Sequence, residues 1–107
     1  MTRVKLTSVR TFPNVEPTKE QALKVLEEAA ETVEALKRWS FVDRFMTGNH
    51  EAVLHSFTDG EFVGLMDEIA DTVTACCNLA SALGVTDLTP YLAACEERNR
   101  KRGRYER

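Results

Sequence analysis

The chain has 107 residues, 43% of them hydrophobic, with a formal net charge of −3. That length supports one domain with one core, small enough to gain from oligomerisation, and the near-balanced charge gives no bulk affinity for polyanions. No apolar run approaches the ~20 residues of a membrane span, and the polar N-terminus lacks the apolar core of a signal peptide. Residues 1–17 read as an irregular or extended arm, because Pro13 and Pro17 forbid a helix through that stretch. A helix starts at Thr18, where Thr18-Lys19-Glu20-Gln21 forms a capping box. Its apolar positions Ala22, Leu23, Leu26, Ala29, Ala30, Val33 and Leu36 recur at helical spacing to about Arg38. Phe41, Val42, Phe45, Met46, Val53, Leu54 and Phe57 suggest one or two short helices broken near residues 48–49. A second capping box, Thr58-Asp59-Gly60-Glu61, opens a helix that runs to Leu83 and stops at Gly84. The last helix begins near Thr89 and Pro90, where a first turn accepts proline, and ends close to Gly103. No strand-type alternation and no internal repeat is read. The expected fold is all-α, a bundle of about four helices, with an arm at 1–17 and one helical domain at 18–105.

Two acidic pairs stand out on the longer helices. Glu28-Ala29-Ala30-Glu31, preceded by Glu27, and Glu68-Ile69-Ala70-Asp71 each place two carboxylates at i, i+3. At about 100° per residue, such a pair lies on one helix face. Leu26, Val33 and Leu36 flank the first pair, and Met66, Ile69 and Val73 the second, so both helices must enter a core. Unit charges ~4 Å apart repel by about 4 kcal/mol at an effective dielectric near 20. Four clustered carboxylates therefore call for protons or cations, and an all-oxygen set suits Mg²⁺ or Mn²⁺. Either motif alone is common on solvated helices; the recurrence on two core helices is what points to a metal. Glu34 reads as a surface ion-pair partner of Lys37 and Arg38.

Other chemistry-bearing residues have plainer readings. Cys76, Cys77 and Cys95 lie in apolar helical patterns without zinc-type spacing, and suit small core residues in a reducing cytoplasm. Trp39, Phe41 and Phe45 read as core before base-stacking residues, and His50 and His55 as surface. The run Glu96-Glu97-Arg98-Asn99-Arg100-Lys101-Arg102-Gly103-Arg104-Tyr105 favours the helix macrodipole, and its cations have the geometry to grip phosphate. Glu96, Glu97 and Glu106 dilute the patch, which argues against a nucleic-acid partner.

Glu27-Glu28-Ala29-Ala30-Glu31 followed by Glu68-Ile69-Ala70-Asp71 resembles the E-E-x-x-E … E-x-x-D motif of the MazG-type all-α nucleoside triphosphate pyrophosphohydrolases. The run 98–105 resembles their Asn- and Arg-bearing C-terminal element, and the resemblance covers roughly residues 18–105. The interval Thr32 to Asp67 is longer than the family usually shows, the excess falling between about Phe41 and Gly60. The resemblance implies a MazG-like fold and hydrolysis of a nucleoside triphosphate between its α and β phosphates. It implies Glu28, Glu31, Glu68 and Asp71 as ligands of Mg²⁺ (or Mn²⁺), with Glu27, Glu28 and Glu31 catalytic. Lys24, Asn99, Lys101, Arg102 and Arg104 would face the substrate phosphates. It also implies a cytoplasmic homodimer or homotetramer, with Phe12, Phe57, Phe62 and Leu65 as candidates for burial between subunits. The alternative is a non-catalytic helical oligomerisation or nucleotide-sensing module with the same fold.

Overall fold

The computed structural model describes residues 2–42 and 60–106, the side chains of Phe41 and Val42 excepted. The described residues form three helices and no strand: α1 (Lys19–Val42), α2 (Gly60–Ala82) and α3 (Thr89–Lys101). The described residues are therefore all-α. The further helix expected between 41 and 60, together with Phe45, His50, His55, Phe57 and Thr58, lies outside the described residues.

The helix ends follow local chemistry. Thr18 Oγ1 accepts the Gln21 amide at 3.2 Å, which caps α1. α1 then runs past Arg38 to Val42, because Trp39 continues its buried face. α2 ends in a Schellman turn. The Val85 amide donates to Ala80 O and the Gly84 amide to Ser81 O, both at 2.9 Å, with Gly84 at φ 83°. α3 closes in the same way at Gly103, φ 71°, where the Arg104 amide reaches Asn99 O at 3.0 Å. At its start, Asp87 Oδ1 accepts the Thr89 amide at 2.9 Å, and Pro90 occupies the first turn.

α1 and α2 form an antiparallel hairpin. Thr32 meets Thr72, while further along α1 Arg38 meets Glu61 and Trp39 meets Phe62. Partner numbers fall as α1 numbers rise. Small residues at the crossing allow close approach: Ala35 and Ala75 are buried, and Thr32 Oγ1 lies 3.0 Å from Thr72 Oγ1. Trp39, Leu65 and Ala35 form the core, with Phe62 packed against it edge-on to Trp39 at 6.5 Å between centroids. Leu65 and Phe62 therefore serve the hairpin's own interior, contrary to the expectation that they await a second subunit. Trp39 is core, as read from the sequence.

The hairpin carries an internal repeat, contrary to the expectation of none. Residues 26–36 (LEEAAETVEAL) align with 66–76 (MDEIADTVTAC), each counterpart numbered 40 higher. Glu28/Glu68, Ala30/Ala70, Thr32/Thr72, Val33/Val73 and Ala35/Ala75 are identical, and Glu27/Asp67 and Glu31/Asp71 are acidic in both. The structure treats the counterparts alike. Thr32 Oγ1 reaches Glu28 O and Thr72 Oγ1 reaches Glu68 O, each at 2.9 Å. An antiparallel pair of equivalent helices is related by a local two-fold axis through the crossing, here between Thr32 and Thr72.

The N-terminal arm crosses to the hairpin and to α3. Asn78, 3% exposed, accepts the Phe12 amide on Oδ1 at 2.9 Å, and Arg3 pairs with Glu96 of α3 at 2.8 Å. Asn14 takes φ 65° beside Pro13, a turn conformation that asparagine tolerates. α3 has no packed interface with α1 or α2 comparable to theirs with each other.

Candidate metal centre

The carboxylates converge beside the threonine crossing. Glu28, Glu68 and Asp71 each bring one oxygen to a point where all lie within 4.8 Å of one another. Glu28 and Glu68 are half-buried and Asp71 is exposed. Their helices position them: Glu28 precedes Thr32 by one turn, and Glu68 precedes Thr72 by one turn, so both acids sit at the contact line between α1 and α2. Glu31 stands next to this trio, within hydrogen-bonding reach of Glu28 and Glu68.

Electrostatics disfavour the simultaneous ionisation of these acids. Burial, then the charges of Glu31, Asp71 and Glu68, push the Glu28 carboxyl above its ordinary range. Burial, then Glu31 and Asp71, push Glu68 up as well, against a smaller opposing pull from Arg38. Glu28 Oε2 and Glu68 Oε2 are both shut off from solvent and have no hydrogen-bond partner. A buried carboxylate oxygen without a donor is costly, and two counterparts across a local two-fold share the same deficit. An oxygen-only donor set that includes two residues with an unpartnered buried oxygen fits a hard divalent ion such as Mg²⁺ or Mn²⁺.

The other expected site residues separate into two groups. Glu27 is exposed and pairs with Lys24 at 3.3 Å, so these two residues satisfy each other on the helix surface. The C-terminal group stands on and just beyond α3. Asn99 Nδ2 donates to Cys95 Sγ at 3.6 Å, and Arg104 Nη1 donates to Asn99 Oδ1 at 3.4 Å. Lys101 and Arg102 are exposed at the end of that helix. No described hydrogen bond or ion pair joins Asn99, Lys101, Arg102 or Arg104 to the carboxylate trio. Arg100, not singled out from the sequence, grips Glu97 with two bonds at 2.9 and 2.6 Å. Lys37 pairs with Glu34 as expected, whereas Arg38 crosses to Glu61 at 3.7 Å.

Sequence reasoning missed Thr32 and Thr72, which space the acids, and Asn78, which holds the arm. The repeated Thr-Val after each acidic pair was the available signal for the threonines. The cysteines are free, and Cys76 is exposed, so only Cys77 and Cys95 approach the expected core setting. Adjacent residues on one helix point about 100° apart, which prevents Cys76 and Cys77 from sharing a buried face. Among the described residues, no helix is long and apolar enough to cross a membrane. Comparison with models of known protein families, with curated proteins and with solved structures matched none of them to this chain.

Proposed function

We propose that the chain is a Mg²⁺-dependent nucleoside triphosphate pyrophosphohydrolase, giving a nucleoside monophosphate and pyrophosphate. The observation that carries this reading is the convergence of Glu28, Glu68 and Asp71 with two buried oxygens left unpaired. The motif resemblance names the reaction, and the donor chemistry supports the metal.

In this reading Glu28, Glu68 and Asp71 hold the ion, with Mn²⁺ as a substitute. The ion would neutralise phosphate charge and acidify a bound water. Glu31, adjacent to the trio and outside it, would be the carboxylate free to accept a proton from a nearby water. Glu28 and Glu68 would hold the ion with carboxylates that are already partly desolvated. Glu27 acts at a distance, by holding Lys24 at the rim where a phosphate would enter. Asn99, Lys101, Arg102 and Arg104 supply the phosphate-gripping side from α3 and the turn that follows it. The chain works as a homodimer or homotetramer in the cytoplasm.

Pyrophosphate release with Mg²⁺ from a panel of canonical, deoxy and modified triphosphates tests the reading. Release is expected for at least one substrate, with Glu31→Gln lowering kcat by on the order of 100-fold. Glu68→Gln and Asp71→Asn should raise the Mg²⁺ requirement, and Arg102→Ala should raise KM with a smaller change in kcat. No release from any triphosphate, or release unaffected by Glu31→Ala and Asp71→Ala, overturns it. Metal-dependent nucleotide binding without release would instead favour the non-catalytic sensing module.

A further inference from the structure

Threonine in a helix often turns its hydroxyl back onto the carbonyl one turn earlier. Thr32, Thr72 and Thr74 all do so, onto Glu28 O at 2.9 Å, Glu68 O at 2.9 Å and Ala70 O at 3.0 Å. Thr74 meets no hydroxyl of α1, and its bond closes within its own helix. Thr32 and Thr72 differ. Both are half-buried, their Oγ1 atoms lie 3.0 Å apart across the crossing, and Thr32 Oγ1 also stands 3.2 Å from Glu68 O.

Each hydroxyl has one proton to donate and lone pairs with which to accept. Were both protons kept on carbonyls, two oxygens would face each other at 3.0 Å with no hydrogen between them. One hydroxyl therefore donates to the other. If Thr32 donates to Thr72, Thr72 donates in turn to Glu68 O. If Thr72 donates to Thr32, Thr32 donates to Glu28 O or to Glu68 O. Every such arrangement makes one hydrogen bond between the helices. Each also ends on the backbone of a glutamate whose carboxylate has a buried, unpartnered oxygen.

We infer that the Thr32–Thr72 hydroxyl pair is the positioning device of the carboxylate centre: one hydrogen bond, able to run in either direction, that fixes the spacing of α1 and α2 beside Glu28 and Glu68. The inference rests on the metal reading above and adds to it two residues that touch neither ion nor substrate. Glu28, Glu68 and Asp71 repel one another when ionised, so their helices gain by moving apart wherever no cation is bound. Ala35 and Ala75 pack the crossing, but apolar contact is non-directional and resists sliding weakly. A hydrogen bond is directional and supplies what they lack. The repeat agrees with this role. Thr32 and Thr72 are counterparts, so a bond on the local two-fold can form in either sense at similar cost and serves both glutamates.

Mg²⁺ calorimetry on the full chain, with urea unfolding in EDTA beside it, tests the inference. Thr32→Val and Thr72→Val keep the branched shape and remove the hydroxyl. Each should weaken Mg²⁺ binding by roughly 3- to 10-fold, as expected for about one hydrogen bond. Thr32→Ser and Thr72→Ser keep the hydroxyl and should bind nearly as the wild type does. Thr74→Val, which loses the same kind of intrahelical bond, should leave binding unchanged. In EDTA the double valine variant should lose no more stability than the more affected single one, because either change already breaks the bond. Full additivity of the two singles, serine variants as weak as the valine ones, or equal weakening by Thr74→Val each overturns the inference. Valine variants that bind Mg²⁺ as tightly as the wild type overturn it too, and leave the metal reading standing. A wild type that binds no Mg²⁺ overturns the metal reading itself, and the positioning role with it. Should a valine variant fail to fold, alanine at that position removes the hydroxyl without setting a methyl against a carbonyl, and the same outcomes decide.

Discussion

Glu28 and Glu68 hold their protons more tightly in the folded chain than in the unfolded one, because burial and neighbouring acids disfavour their charge. In the metal-free protein the folded state therefore binds more protons than the unfolded state across that window. The resulting stability is fully present below the ordinary glutamate range and is lost as pH rises through the raised folded values. Arg3 with Glu96, and Arg100 with Glu97, act in the opposite sense by holding their carboxyls down. Comparison of the wild type with a Glu28→Gln, Glu68→Gln protein isolates the first effect. In EDTA the wild type should lose Tm relative to that variant as pH rises above the ordinary glutamate range, and Mg²⁺ should restore it in the wild type only. A difference that is flat with pH would show that neither acid is perturbed. The acidic pairs themselves were legible in the sequence, because i, i+3 spacing on apolar helices is rare without cause. Which acids converge was not legible. Asp71 and Glu31 are counterparts in the repeat, yet the trio within 4.8 Å includes Asp71 and not Glu31, a distinction that spacing does not encode. Asn78 was equally invisible, since its role depends on an arm 66 residues away in sequence. Asn78→Ala leaves the Phe12 amide without its acceptor and should lower stability by about 1 to 3 kcal/mol in urea unfolding.

At the scale of elements, helix ends were the most readable feature, because each rests on chemistry local to a few residues. The hydroxyl of Thr18, Pro90 at a first turn, and the glycines at 84 and 103 all appear where the sequence placed them. Gly84 has φ 83° and open space where a Cβ would stand, so Gly84→Ala meets no clash and pays only for the backbone conformation. A loss of about 1 kcal/mol is expected by thermal unfolding, and a neutral result would mean the turn relaxes. The pairing of α1 with α2 is a different matter. It depends on Ala35, Thr32, Thr72 and Ala75 as a small-residue crossing, and small residues carry almost no periodic signal. Ala35 is 1% exposed against α2, so Ala35→Leu must push the helices apart. That should cost about 1 to 3 kcal/mol and separate Glu28 from Glu68 and Asp71. Mg²⁺ affinity by calorimetry should fall with it, although no ligand has been touched. The repeat escaped notice for the related reason that alanine, threonine and valine dominate its identities.

At the scale of the molecule, the described helices leave large apolar side chains uncovered, Leu26 at 65% and Val33 at 52% among them. A flat hairpin with an arm and a third helix at its margin exposes apolar rows that a single core would have hidden. The helical spacing of those rows marks apolar faces that must enter a core. Periodicity reports that a face must be covered and is silent on whether the cover comes from the same chain. In the homo-oligomer reading a second copy covers such rows, which would tie folding to association. The midpoint of thermal unfolding should then rise with protein concentration, following mass action on the oligomer. Leu26→Lys should remove that dependence and lower the midpoint, since lysine would stand where apolar side chains meet. Mg²⁺ should still raise the midpoint of the variant wherever it remains helical, because at about 100° per residue Leu26 stands on the far side of α1 from Glu28. A concentration-independent midpoint in the wild type would mean that each chain covers its own apolar face. A loss of the Mg²⁺ response together with association would instead mean that the metal centre needs both copies to form.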